Sequence, residues 1–269
     1  MTSNAAVYTH GHHESVLRSH RWRTAVNSAA YLVPHLKPGM SLLDVGSGPG
    51  TITVDLARLV APGVVTACEV TAEALALARA EAERQQQDNL AFEVADVNHL
   101  PFDDDTFDIV HAHQVLQHLS DPVRALAEMR RVCKPGGYVA ARDGDYEAFT
   151  WFPAVPELDE WLALYRKQAR ANGGEPDAGR RLVSWAKAAG FTQVTAGASV
   201  WCFAAPEDRA WWGESWAERI VSSSLAKQAV AAGEATAEDL RRISGGWLTW
   251  VAADDGWFAT LHGEILCQA

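Results

Sequence analysis

The sequence predicts an α/β protein built on a doubly wound, mostly parallel sheet, and three observations predict it. The stretch Leu42-Leu43-Asp44-Val45-Gly46-Ser47-Gly48-Pro49-Gly50-Thr51 reads as a short buried strand, a tight glycine turn and the start of a helix. That is the first unit of a nucleotide-binding sheet, with the ligand beyond the strand's carboxyl end. Further strand-like runs end at Glu69 and at Asp96. Acids repeated at the ends of parallel strands face one crevice. Between these runs lie segments with helix caps and helical apolar spacing, as an alternating βα chain requires.

Taken in order, Glu14 to Val33 can be helical, with Val16, Leu17, Trp22, Val26, Ala29, Ala30 and Tyr31 as a rough apolar face; Pro34 and Pro38-Gly39 end it. The run Tyr8-Thr9-His10-Gly11-His12-His13-Glu14 precedes it. A single helix does not make such ligands converge, so no metal is expected. Thr51 to Val60 supplies the helix after the glycine turn, and Pro62-Gly63 breaks into strand two, Val64 to Glu69. Thr71 can cap the next helix, rich in Ala, Glu and Arg through about Gln87. Strand three runs from Leu90 to Ala95 and is closed by Asp96-Val97.

Leu100 to Asp108 leads into strand four, Ile109-Val110-His111-Ala112-His113, where period two puts both histidines on one face. Ser120-Asp121-Pro122 starts a helix whose Val123, Leu126, Met129 and Val132 recur at helical spacing. Lys134-Pro135-Gly136-Gly137 turns into strand five, Tyr138 to Ala141, which is followed by Arg142-Asp143-Gly144-Asp145. Leu158 to Ala171 forms an inserted helix, Arg180 to Ala189 another, and Phe191 to Phe203 one or two strands. Pro206 to about Ala253 reads as two helices and Trp257 to Cys267 as the last strand.

Composition is globular and one domain is expected over residues 1–269. The net charge of −11 excludes a generic nucleic-acid binder, which needs a basic surface, and favours small, neutral or cationic substrates. Four cysteines with no Cys-x-x-Cys pair suggest neither disulfides nor zinc and fit a reducing cytoplasm. No apolar run approaches the ~20 residues that span a bilayer, so no membrane partner is expected. Most of the eleven tryptophans fall after residue 150 and can line a pocket, fill a core or bury a homodimer contact.

Thr51 stands where a dinucleotide fingerprint wants its third glycine, which disfavours a nicotinamide-dependent oxidoreductase. The pattern Asp44-x-Gly46-x-Gly48-x-Gly50 instead resembles the first motif of class I methyltransferases that use S-adenosylmethionine. With Glu69, Asp96, the Pro101-Phe102-x-x-x-x-Phe107-Asp108 run and Lys134-Pro135-Gly136-Gly137 in order, residues 42 to 142 resemble the small-molecule methyltransferases of ubiquinone and menaquinone biosynthesis. The resemblance implies a Rossmann-like seven-stranded sheet with an antiparallel last strand. It implies S-adenosyl-L-methionine as cofactor. Asp44, Gly46, Ser47, Gly48, Gly50 and Thr51 would hold its amino-acid portion, Glu69 and Val70 the ribose, and Asp96 and Val97 the adenine.

It also implies a helical lid over residues 1–38, a cofactor-binding core over 39–145, and inserted helical substrate segments over 146–179 and 205–255. Tyr8, His12, His13, Arg21, Arg23 and Trp22 are the lid's candidates for contact with cofactor or substrate. His113 borders the reactive end of the cofactor in this reading. With Asp143 and Asp145, it could serve as a base, since an alcohol or phenol acceptor gains from losing its proton as it attacks. The partner expected is a small, apolar or aromatic methyl acceptor whose reacting atom, oxygen, carbon or nitrogen, the sequence does not name. The competing reading is a non-catalytic S-adenosylmethionine-binding regulatory module.

Overall fold

The computed structural model describes residues 22–269. Tyr8, His12, His13 and Arg21, four of the lid candidates, lie outside the described residues. Within them an eight-stranded sheet runs in the order β3-β2-β1-β4-β5-β8-β6, with β7 pairing on β8. The strands are β1 (Leu42–Val45), β2 (Val65–Glu69), β3 (Leu90–Val94), β4 (Phe107–His113), β5 (Cys133–Gly144), β6 (Thr150–Phe152), β7 (Gln193–Phe203) and β8 (Trp257–Gln268). β1 to β5 pair in parallel. β8 runs antiparallel to β5 on one edge and to β7 on the other, and β6 extends the β5 edge along residues 257–259. The antiparallel last strand is as the sequence reading has it. The short β6 carries no sequence signal, because three residues show no periodicity.

β1 is buried along its whole length, Asp44 included, as befits a central strand with parallel neighbours on both edges. The flanking helices begin with α1 (Ala25–Ser28), α2 (Thr51–Val60), α3 (Ala72–Arg84) and α4 (Pro122–Val132). Thr71 caps α3 by accepting from Ala74 N–H, and Asp121 caps α4 by accepting from Arg124 N–H, so two local signals act where the sequence places them. Over the described residues 22–33 the expected helix is not continuous. Thr24 and Asn27 make a capping box that starts α1, and a separate 3₁₀ turn covers Val33–His35. α1 is tied to α2 by Ala25 N–H donating to Asp55 Oδ2 at 3.0 Å and to β7 by Trp201 Nε1–H donating to Asn27 O at 2.7 Å.

The later helices are α5 (Pro156–Ala171), α6 (Leu182–Ala188), α7 (Pro206–Ser222), α8 (Ser224–Ala231) and α9 (Ala237–Ala252). Residues 206–253 thus form three helices where two were expected, because the chain turns at Ser223, which is extended with ψ 178°. α5, α7 and α9 pack around an aromatic cluster that includes Trp161, Trp216, Trp247 and Phe258. Trp161 and Trp247 stand with ring centroids 4.8 Å apart and planes at 82°, an edge-to-face pair that adds to the area it buries. No helix among the described residues is long and apolar enough to cross a membrane.

Candidate active site

At the end of β1 the backbone turns with φ of +67° at Gly46, +54° at Gly48 and +83° at Gly50. A Cβ on Gly46 would stand 2.5 Å from Val115 Cγ2, so the turn needs glycine there for both conformation and space. Gly48 N–H donates to Glu69 Oε1 at 2.7 Å, which ties the turn to the end of β2. Asp44 faces inward. Its carboxylate accepts from Thr53 Oγ1 at 2.5 Å and pairs with His111 Nδ1 at 2.7 Å, across the register that aligns β1 with β4. Its role in this structure is to fix the strand, the first helical turn and His111 relative to one another.

The turn opens onto a cavity of about 280 Å³ of water-accessible space at the carboxyl ends of β1 to β4. One half is lined by Gly46, Ser47, Gly48 and Thr51 with Glu69, Val70, Asp96 and Val97, all candidates from the sequence. Ser47 Oγ is buried there with no hydrogen-bond partner. Asp96 Oδ1 accepts from the backbone and side chain of Asn98, both at 2.9 Å.

The other half is aromatic, lined by Tyr146, Phe149, Trp201, Trp211 and Trp212, with Trp216 beside them. Trp22, the lid candidate that is described, packs its ring against Trp201 at 5.2 Å and Trp211 at 5.3 Å, behind this wall. Arg23 lines the cavity. The tryptophans therefore divide: Trp161, Trp247 and Trp250 are buried in the core away from the cavity, whereas Trp201, Trp211, Trp212 and Trp216 line it, Trp216 being part of the core as well.

His113 sits where the halves meet, its ring 5.8 Å from that of Trp201, and neither ring nitrogen has a partner in the protein. Burial, reinforced by Arg23 and Arg142, holds its pKa well below the ordinary histidine value, so the ring is neutral at physiological pH. It offers one N–H donor and one lone pair. Asp143 does not join it. That carboxylate is fully buried outside the cavity lining, accepts from Gln117 N–H at 3.1 Å, and is pushed by burial up to about 7. Asp145 is likewise removed, held by Arg180 at 2.6 Å. β5 continues to Gly144, and β8 pairs alongside its Arg142-Asp143 stretch, so Asp143 lies within the sheet.

Several lining residues escaped the sequence reading. Gln114 adopts φ +54° just past β4, and its Nε2 donates to His262 Nε2 at 2.8 Å. His262 on β8 is buried and held neutral, by burial first and Arg142 second, so its Nδ1–H donates to Thr260 O at 3.1 Å. Arg219 on α7 and Thr260 on β8 complete the wall. These come from elements up to some 150 residues away in the chain, and only the period-two pattern of Trp257 to Cys267 hinted that His262 stands on a strand.

Residues 36–203 match a family described as Methyltransferase domain. An uncharacterized methyltransferase of Schizosaccharomyces pombe is 36% identical over 270 residues, covering 96% of this chain and 95% of its own. A ubiquinone/menaquinone biosynthesis C-methyltransferase of Bdellovibrio bacteriovorus is 37% identical over 103 residues, 38% of this chain and 43% of its own. Among solved structures, a Haemonchus contortus phosphoethanolamine N-methyltransferase in complex with S-adenosyl-L-methionine is similar in fold. Its TM-score is 0.57 at 17% identity, over 93% of this chain and 56% of that one.

Proposed function

The chain belongs to the Methyltransferase domain family, and we propose on that premise that it transfers a methyl group from S-adenosylmethionine to a small acceptor held in the aromatic half of the cavity. The observation that carries this reading is that one cavity joins the glycine turn and the strand-end acids to a wall of tryptophans, with His113 at the junction. The residues of the first half fit the cofactor by their chemistry. Glu69 and Asp96 are acceptors for the hydroxyl and amino donors of an adenosine, and the buried Ser47 Oγ is a polar atom that a ligand can satisfy. The turn's close approach suits the amino-acid portion, with Thr51 at the head of α2 and Val70 and Val97 beside the two acids.

When bound by the glycine turn, Glu69 and Asp96, the cofactor would supply an electrophilic methyl group on a sulfonium, a good leaving group. The chain's own contribution is placement and dryness. Aromatic walls bind an apolar or planar acceptor and exclude water, and they fix its approach to the cofactor half. For an oxygen acceptor, the lone pair of neutral His113 accepts a hydrogen bond from the hydroxyl and orients its oxygen for attack. Carbon and nitrogen acceptors use the same placement without that bond.

Calorimetry tests the first half of the reading. S-adenosylmethionine and S-adenosylhomocysteine are expected to bind, with a loss of at least about tenfold in the Asp96→Ala variant, the equivalent of one charge-assisted hydrogen bond. Absence of binding by the intact chain would sink it. Mass spectrometry of candidate metabolites after incubation with the cofactor, read for the gain of one methyl group, tests the second.

A further inference from the structure

Some of the polar side chains around the aromatic half are already spent inside the protein. Gln114 and His262 bond each other, His262 Nδ1–H goes on to Thr260 O, and the Tyr146 phenol bonds Tyr165. His113, Thr260 and Trp212 differ. They are 6%, 1% and 7% exposed, and all three line the cavity. Both His113 ring nitrogens, the Thr260 hydroxyl and Trp212 Nε1 have no hydrogen-bond partner in the protein. Buried polar groups in this condition are uncommon, because each has given up its bonds to water and gained none in return. A ligand that brings the matching groups restores what was lost.

The sheet sets the order in which a ligand meets them. Thr260 pairs with Trp201, and Phe258 with Phe203, across β8 and β7. Phe258, Thr260 and His262 therefore share one face of β8, at steps of about 6.8 Å. The His113 ring stands 6.4 Å from that of His262, whereas the Trp212 ring lies 4.4 Å from Phe203 and 6.0 Å from Phe258. The unmet groups thus follow one line along β8: His113 at the junction with the cofactor half, then Thr260, then Trp212. Their chemistry changes along that line. Neutral His113 offers a lone pair and an N–H, the Thr260 hydroxyl donates or accepts, and the Trp212 indole only donates. A hydroxyl on the ligand suits the first position. Beyond it, the group that suits both residues is an oxygen that accepts and has no proton of its own, and a carbonyl oxygen has two lone pairs to give them.

Resting on the reading of this half as the acceptor site, we propose that Thr260 and Trp212 determine specificity by receiving a carbonyl oxygen, and that the acceptor is a flat hydroxylated ring system carrying that carbonyl at the end remote from its hydroxyl. The hydroxyl meets His113 beside the cofactor half, the rings lie against the tryptophans, and the carbonyl oxygen accepts from Thr260 Oγ1–H and Trp212 Nε1–H. Selection follows from the burial of these donors. An analogue lacking the oxygen leaves them unmet, and a site built to hydrogen-bond a group rejects the analogue without it far more strongly than an apolar pocket rejects a change of size.

The test is calorimetry on the full chain saturated with S-adenosylhomocysteine, using two matched pairs of probes: 6-hydroxy-1-tetralone against 5,6,7,8-tetrahydro-2-naphthol, and 2-hydroxy-9-fluorenone against 2-hydroxyfluorene. Within each pair the hydroxyl is kept and the carbonyl is present or absent. The ketone is expected to bind at least about tenfold more tightly than its partner in one or both pairs. Thr260→Val, which keeps the shape and removes the hydroxyl, is expected to cut that preference to below about threefold while S-adenosylhomocysteine binding and the affinity of the carbonyl-free probe persist; Thr260→Ser is expected to retain most of it. Trp212→Phe gives the same reading should Thr260→Val lose cofactor binding. The carbonyl also makes the probe's hydroxyl more acidic, but that difference is common to every variant, so the change in preference on substitution reports the contact with the carbonyl. Equal binding within both pairs, a preference undiminished in Thr260→Val and Trp212→Phe alike, or no binding of either ketone to protein that has bound S-adenosylhomocysteine overturns the proposal and leaves the methyltransferase reading standing. Failure of the unaltered chain to bind S-adenosylhomocysteine overturns both.

Discussion

At Gly46 two separate penalties await a side chain: a φ of +67°, which L-residues adopt at a cost of about 1–2 kcal/mol, and a Cβ position 2.5 Å from Val115 Cγ2. Gly46→Ala is therefore expected to lower stability by about 2–4 kcal/mol in urea unfolding and to weaken S-adenosylmethionine binding at least about tenfold. Adding Val115→Ala relieves the overlap and leaves the backbone strain, so the double variant should regain part of the binding. No recovery in calorimetry would show that the overlap is not the cause. The turn was legible because its chemistry is local: glycines, an acid and a helix start within ten residues. His113 was legible as well, since strand alternation and its place at a strand end brought it to the crevice. Asp143 misled because its partner Gln117 and its strand neighbour on β8 are both distant in the chain, and no local pattern announces that a polar strand end will be buried.

Among the elements, α7 and α9 meet at Gly213, where a Cβ would stand 2.2 Å from Val251 Cγ2 and 3.3 Å from the Trp250 ring. α7 carries Trp211, Trp212, Trp216 and Arg219, so the distance between these helices sets the shape of the acceptor wall. Gly213→Ala gains about 1 kcal/mol of helix propensity but forces the helices to shift, at about 1–3 kcal/mol. The expected result is a net loss near 1 kcal/mol in urea unfolding and a several-fold weaker acceptor, with S-adenosylmethionine affinity unchanged. Equal weakening of both ligands would place the contact outside the acceptor half. The helices themselves could be read from Pro starts, caps and apolar spacing. Their division of the tryptophans between core and cavity could not, because Trp212 and Trp247 are the same residue type on apolar helix faces and differ in what packs opposite.

For the whole molecule, buried titratable groups set the dependence of stability on pH. His113 and His262 have pKa values lowered in the folded state, so their stabilising contribution is present above the unfolded value near 6.5 and is lost as pH falls below it. Asp143 works in the other sense. Raised to about 7, it contributes most at low pH and its contribution is lost as pH rises from about 4 to 7. Two histidines against one aspartate leave a net fall of about 1.4 kcal/mol per pH unit as the solution is taken below 6.5, to which the half-buried His118 adds. Urea midpoints at pH 5.5 and 6.5 check this, and an unchanged or rising midpoint on acidification would show that these rings stay protonated in the fold. Net charge was the least informative of the sequence's global signals, since a sum over 269 residues does not reveal that Arg23 and Arg219 share the aromatic half of one cavity. The placement of β8 between β5 and β7 has a consequence in time. At about 5–20 residues per second of synthesis, on the order of ten seconds pass between the emergence of β5 and that of β8. Throughout that interval β5 offers an open edge, and β7 has no strand to lie on. The half of the cavity around the glycine turn can be assembled on the ribosome first, while the half that selects the acceptor waits for Thr260 and His262 to arrive.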